Sequence, residues 1–257
     1  MWNAADSSVP ANSGRLDVPI EMIGGLPIAV MSRAQSAQLM TNLAAARRNS
    51  NQPALIFTSA NGQVLSMCAQ DADVRNLFMN ADVVHADGMP LVFASQWLSS
   101  KPLPERAATT DLFHDVAKLA EARGTRFYML GGTDATIELA VRRTLSLYPR
   151  LRICGHHSGY FSSEQEPEIV AKIDAAGPDI LWVGMGVPRE LAFAARNRRA
   201  PNWMQAAGLE WAFRVFLEPQ RLAGRYLMTN PHAAFLLLTR TRQPSALALR
   251  DAKIDAR

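Results

Sequence analysis

Five apolar runs of strand length recur along the chain, "PALIFTSA", "DVVHAD", "RFYML", "LRICG" and "DILWVGMG", and segments with helical spacing separate them. Continuous runs of this kind mark strands buried on both faces, and parallel strands joined by crossover helices supply that environment. Helices are read at about 35–48, 63–78, 89–99, 111–123 and 164–175, with another after the glycine turn of "GGTDATIELAVRRTLSLYP", where Asp134 is available as a cap. "IGGLPIAV" reads as one short extended segment ahead of them. The alternation predicts an α/β fold, a Rossmann-like, mostly parallel sheet with helices on both faces.

That alternation has limits. Residues 1–18 mix small, polar and proline residues without periodicity and read as a leader; 19–198 carry the α/β pattern; 199–257 read as an all-helical appendage punctuated by Pro219 and Pro231. With 48% hydrophobic and 19% charged residues, a chain of 257 can bury a substantial core. Its longest apolar run, "AAFLLL", falls far short of the roughly 20 residues that span a bilayer. Cys68 and Cys154 have no paired spacing, and His156 and His157 belong to no HxxxH pattern, so neither a disulfide framework nor a protein-held metal is indicated.

Charge is distributed unevenly. The net charge is +4, and from Arg199 onward nine Lys and Arg face four Asp and Glu. A basic tail of this kind suits phosphates, a lipid surface or nucleic acid, or is a solvated face without a partner. Arg214, Arg221 and Arg225 are spaced seven and four residues apart, on one side of a continuous helix, and their forks suit phosphate; pairing with Glu210 and Glu218 is the structural alternative. No DNA- or RNA-binding module is recognisable.

The strand ends hold the residues with chemical potential: Asn61 in "TSAN", Asp87 and Gly88 in "HADG", Gly131 and Gly132 in "MLGG", and Gly184, Gly186 and Pro188 in "VGMGVP". Ligands of open α/β sheets sit outside the carboxyl ends of the strands, which makes Asp87 either a ligand or catalytic group or merely a cap of the next helix. The glycines either admit phosphate oxygens to backbone N–H groups or make ordinary tight turns. Neither GxGxxG nor GxxxxGK[ST] occurs, against a nicotinamide oxidoreductase or a P-loop enzyme.

The blocks "HADGMPLVFASQWL", "LPERAATTDL", "FYMLGGTDA", "YPRLRICGHHSGYF", "PDILWVGMGVPRE" and "RAPNWMQAAGLEWAFRVFLEPQRLAGRYL" together resemble the WecG/TagA/CpsF family of bacterial glycosyltransferases, from about residue 20 to 240. The resemblance implies inverting transfer of a sugar, of the N-acetylmannosamine, uronic acid or glucose type, from a UDP-sugar to a polyprenyl-diphosphate-linked acceptor. Such enzymes build cell wall, capsule or exopolysaccharide. It further implies no cofactor or protein-bound metal, and a peripheral location at the cytoplasmic membrane's inner face with the C-terminal appendage toward the membrane; a homo-oligomer is compatible with it. By position, Asp87 matches the general base, Asn61 the active-site asparagine, Arg106 and Asp111 the ends of a substrate-side loop, and Arg214, Arg221 and Arg225 the cluster that engages diphosphates. With them, Gly88, Gly131, Gly132, Gly186, Pro188 and Glu190 complete the expected substrate surface.

The sequence departs from the family at three places. After "WVGMG" it reads "PREL", so Glu190 stands where a glutamine is usual and Leu191 where a glutamate is usual. A glycine usual before Asp111 is missing from "AATTD". After Asn197 a strand and a "GGxFDFxAG"-like turn are absent, and "AARNR" runs directly into "RAPNWM". The expectation is therefore an active transferase, with a catalytically inactive, nucleotide- or membrane-binding relative as the alternative.

Overall fold

The computed structural model describes residues 16–48, 50, 52–198, 206–208, 235, 236, 238 and 239. Its elements are β1 (Ile20–Ile23), β2 (Leu26–Ala29), α1 (Arg33–Arg47), β3 (Ile56–Ala60), α2 (Gly62–Gln70), α3 (Ala72–Met79), β4 (Val83–Ala86), α4 (Met89–Leu98), α5 (Thr109–Arg123), β5 (Arg126–Gly131), α6 (Asp134–Leu147), β6 (Arg152–His157), α7 (Glu166–Ala176), β7 (Ile180–Gly184), α8 (Arg189–Asn197) and β8 (Ala206–Gly208). They divide into two compact units. The larger holds 33–57, 109–198 and 206–208; the smaller holds 16–32, 58–108 and the described residues at 235–239.

In the larger unit the strand order is β3-β8-β7-β5-β6, and every pairing is parallel. This is the Rossmann-like α/β arrangement expected from the alternation of runs. Its core is aromatic: Phe113 and Phe127 meet the Trp182 ring edge-on at centroid distances of 5.0 and 5.6 Å. Offset contacts of this kind add to the burial of the rings themselves.

Ahead of β7, Asp179 is anchored by two arginines. Its carboxylate accepts from Arg48 Nε at 2.8 Å, from Arg126 Nη2 at 3.2 Å and from the Arg126 backbone N–H at 2.7 Å. Burial alone would raise its pKa, but these donors together hold the carboxyl below the ordinary value. The pairing ties the end of α1 to the starts of β5 and β7.

β8 departs from the all-helical reading of the segment beyond Arg199. Ala206 and Ala207 pair with Ile56 and Phe57 on one side, while Ala206, Ala207 and Gly208 pair with Leu181, Trp182 and Val183 on the other. Alanine and glycine have poor strand propensity, so pairing on both sides, rather than local preference, makes this strand. The strand between β7 and β3 is thus built from "AAG" alone.

In the smaller unit, "IGGLPIA" is a hairpin rather than a single extended segment: β1 and β2 pair antiparallel, turned by Gly24 and Gly25 with φ of 60° and 85°. Two consecutive positive φ values are what a two-residue type I′ turn requires. β2 packs on β4. The helix read over 63–78 is two helices, because Asp71 adopts an extended conformation and its Oδ1 caps α3 through the N–H groups of Asp73 and Val74 at 2.9 and 3.1 Å. In the larger unit, α6 is capped by Thr133, not Asp134; its hydroxyl accepts from the Thr136 N–H at 3.3 Å, and Asp134 falls in the first turn.

Candidate active site

Two strand ends of the smaller unit bring the expected catalytic pair together. β3 ends at Ala60 and β4 at Ala86, and the Asp87 N–H donates to the Ala60 carbonyl at 2.8 Å, locking the two exits side by side. Asn61 is the N-cap of α2, its Oδ1 accepting from Gln63 N at 3.0 Å and Val64 N at 3.2 Å. Those two bonds fix the amide's orientation and leave its NH2 as the end that α2 does not use. The Ala107 N–H bonds the Ala86 carbonyl at 2.9 Å, so the loop that carries Arg106 returns to the end of β4, one residue from Asp87.

Asp87 is 9% exposed. Its reading as an N-cap does not hold: Gly88 is the N-cap residue of α4 and has no side chain to supply. Gly88 itself is extended, at φ −179°, and an added Cβ would meet nothing closer than 3.7 Å, the first neighbour being Asn61 Cβ. Neither a tight turn nor crowding therefore demands glycine here. The absent side chain leaves bare backbone between the carboxylate and the asparagine.

Sequence reasoning overlooked His85. It lies two residues before Asp87, is 2% exposed, and its Nδ1 is 3.3 Å from the Thr58 carbonyl oxygen of β3. Because a carbonyl only accepts, Nδ1 carries the proton in this contact. Burial pushes its pKa down to about 4, the Thr58 carbonyl opposing, so the ring is neutral near pH 7 and joins the two strands that present Asn61 and Asp87. The "HxD" spacing, with both residues on one face of an extended strand, was the signal available.

The larger unit explains its glycines differently. Gly131 has φ of 156°, and a Cβ there would lie 2.3 Å from the Gly184 carbonyl oxygen. The Gly132 N–H donates to that same oxygen at 3.3 Å, and the Gly132 carbonyl accepts from Gly159 N at 2.9 Å and Ser158 Oγ at 3.0 Å. The ends of β5 and β7 and the 158–159 loop touch backbone to backbone, and only glycine fits. Beyond β7, Pro188 precedes α8 as its N-cap residue, and the Glu190 carboxylate turns back to accept the Gly186 N–H at 2.9 Å. That amide, which a ligand anion could otherwise use, is engaged by the protein's own carboxylate.

Asp111 lies in the first turn of α5, where its carboxylate pairs with Arg33 of α1 at 3.1 Å; Arg33 also pairs with Asp115 at 3.0 Å. Asp111 therefore helps fasten α1 to α5. Arg214, Arg221 and Arg225 lie outside the described residues. Among the described residues no group of three His, Cys, Asp or Glu side chains could hold a metal ion, and no helix is long and apolar enough to cross a membrane.

A relative from Bacillus subtilis (strain 168), named as an N-acetylglucosaminyldiphosphoundecaprenol N-acetyl-beta-D-mannosaminyltransferase, is 26% identical over 190 residues, which cover 65% of this chain and 73% of the relative. A protein of the same name from Staphylococcus aureus (strain NCTC 8325 / PS 47) is 25% identical over 208 residues, 72% of this chain and 81% of the relative. The family described as "Glycosyl transferase WecG/TagA/CpsF family" matches residues 21–199 and again 192–246, two stretches that overlap on α8 and the residues just after it. Most of the sequence lies within those matches, and the chain belongs to the WecG/TagA/CpsF family of glycosyl transferases.

Proposed function

We propose that the protein transfers a sugar of the N-acetylmannosamine type from its UDP-activated form to an N-acetylglucosamine carried on a polyprenyl diphosphate, with inversion, in the synthesis of a cell-surface polysaccharide. The observation that carries this reading is the buried Asp87 carboxylate at the exit of β4, beside Asn61 and the bare backbone of Gly88. In the reaction Asp87 takes the proton of the acceptor hydroxyl while that oxygen forms a bond to the anomeric carbon. The bond from that carbon to the β-phosphate oxygen breaks, and UDP leaves with the electron pair. In this reading the Asn61 NH2 group orients the acceptor or the sugar, and Arg106, beside the Ala107 N–H that bonds the Ala86 carbonyl, is the arginine of the returning loop. Stabilising UDP without a metal or other cofactor falls to arginines, with Arg214, Arg221 and Arg225 the proposed clamp. The names of the relatives support the donor sugar and the acceptor.

A second reading, a binding protein that no longer transfers sugar, draws on two observations. The family's match is broken into overlapping stretches around residues 192–199, and Glu190 occupies the Gly186 amide. Incubating the full chain with UDP-N-acetylmannosamine and a synthetic polyprenyl-diphosphate N-acetylglucosamine in detergent separates the two. A disaccharide product with released UDP is expected; UDP binding with no product would sink the transferase reading in favour of the second.

A further inference from the structure

Helix α4 begins two residues after Asp87, and none of its ten residues, "MPLVFASQWL", is charged. Leu91, Val92, Ala94 and Ser95 face inward and are buried, as an amphipathic helix requires. The opposite side is largely apolar as well, with Gln96 its exposed polar residue: Met89, Phe93 and Trp97 follow one another at four-residue spacing with exposures of 43, 48 and 80%, and Leu98 is 42% exposed. A helix with apolar residues on both its inner and outer sides is normally covered on both. The exposed apolar side chains of the larger unit, Leu145, Leu147 and Tyr160, form no such row.

Size helps identify the cover. At the 150–250 Å² that a fully buried aromatic side chain removes from water, these four partly exposed side chains offer on the order of 500 Å². A stable protein interface needs about 800 Å² from each partner, so a second copy docked on this face alone would be held weakly. The same row is sufficient for shallow insertion at a bilayer surface, where tryptophan and phenylalanine settle at the head-group level. Lys101, exposed in the loop directly after the helix, adds a cation for anionic head groups.

We propose that the outer face of α4, centred on Phe93 and Trp97, is a bilayer-docking surface that presents Asp87 to an acceptor whose lipid tail stays in the membrane; the purpose of the docking rests on the transferase reading above. The helix joins the two requirements directly, since the residues that precede its first turn are the catalytic carboxylate and the bare glycine.

The test uses the full chain and vesicles of phosphatidylethanolamine and phosphatidylglycerol, with co-sedimentation as the readout, so it does not depend on activity. The Phe93→Gln/Trp97→Gln double variant is expected to lose roughly tenfold or more in vesicle partitioning. Its melting temperature should stay near that of the wild type, and so should its transfer to a short-chain, water-soluble acceptor. Trp97→Gln alone, at the most exposed position, should show a smaller loss in the same direction and guards against a fold defect in the pair. Unchanged partitioning of the double variant overturns the proposal, and so does a variant that changes only from dimer to monomer. Vesicle binding that depends on α4 in a protein that transfers no sugar would keep the docking surface and overturn the function proposed for the site.

Discussion

The ends of β3 and β4 in the smaller unit and the ends of β5 and β7 in the larger one look alike in sequence, each a strand running into a glycine and then a helix. Their physics differs. At β5 and β7 the fold itself uses the glycines: a Cβ on Gly131 would lie 2.3 Å from a backbone oxygen, and the Gly186 amide already holds the Glu190 carboxylate. At β3 and β4 the fold makes no such demand on Gly88, and it still buries a carboxylate beside it. A glycine at a strand end is thus evidence for a ligand only where backbone packing does not already require it.

That contrast is open to attack by substitution, beginning with the largest effect on the fold. Gly131→Ala forces a clash between a side chain and the Gly184 backbone at a φ that alanine rarely adopts. It should cost more than about 3 kcal/mol or prevent folding, as urea unfolding would show; a loss below about 1 kcal/mol would mean that the close approach is not structural.

Next in size is a dependence on pH. His85, buried and neutral with its pKa pushed down to about 4, binds a proton more weakly in the folded chain than in the unfolded one, where about 6.5 is ordinary. Stability from this residue is therefore intact above about pH 6.5 and falls as the pH drops toward 4, by up to about 3 kcal/mol. His85→Gln keeps a donor for Thr58 and does not titrate, so it should flatten that part of the stability curve. An unchanged slope would place the acid sensitivity elsewhere.

Glu190→Gln replaces a charge-assisted bond to the Gly186 N–H with a neutral one and should cost about 1 kcal/mol or less in chemical unfolding. If the β7 exit meets the nucleotide, removing this negative charge should also tighten UDP binding in calorimetry; unchanged or weaker binding would keep that exit purely structural. The smallest effect on stability belongs to Gly88→Ala, within about 1 kcal/mol because no neighbour lies closer than 3.7 Å. Its transfer rate should nonetheless fall about tenfold if substrate lies against that backbone, and an unimpaired rate would remove Gly88 from the site.

How legible these features were depended on their range. The buried runs announced β3, β4, β5 and β7 because strands covered on both faces need uninterrupted apolar residues, whereas "LRICG" became the half-exposed edge strand β6. Asn61 and Asp87 were legible as strand-end polar groups, and their proximity followed from βα topology. Features decided by a single torsion or a distant partner were not. Asp71 splits a helix by capping the second half, Gly24 and Gly25 fold one apparent strand into two, and β8 is a strand only because β3 and β7 flank it. His85 looked like any strand histidine until its contact with Thr58 appeared across 27 residues of sequence.

The most direct test of the central claim, that the fold spares the β3–β4 exits for chemistry, is a paired measurement on Asp87→Asn: melting temperature, and initial rate of sugar transfer to the polyprenyl-diphosphate acceptor. The account expects a melting temperature near or above that of the wild type with transfer reduced about 10²- to 10⁴-fold, the range for losing a general base. Transfer within a few-fold of the wild type, in a protein equally well folded, would contradict it.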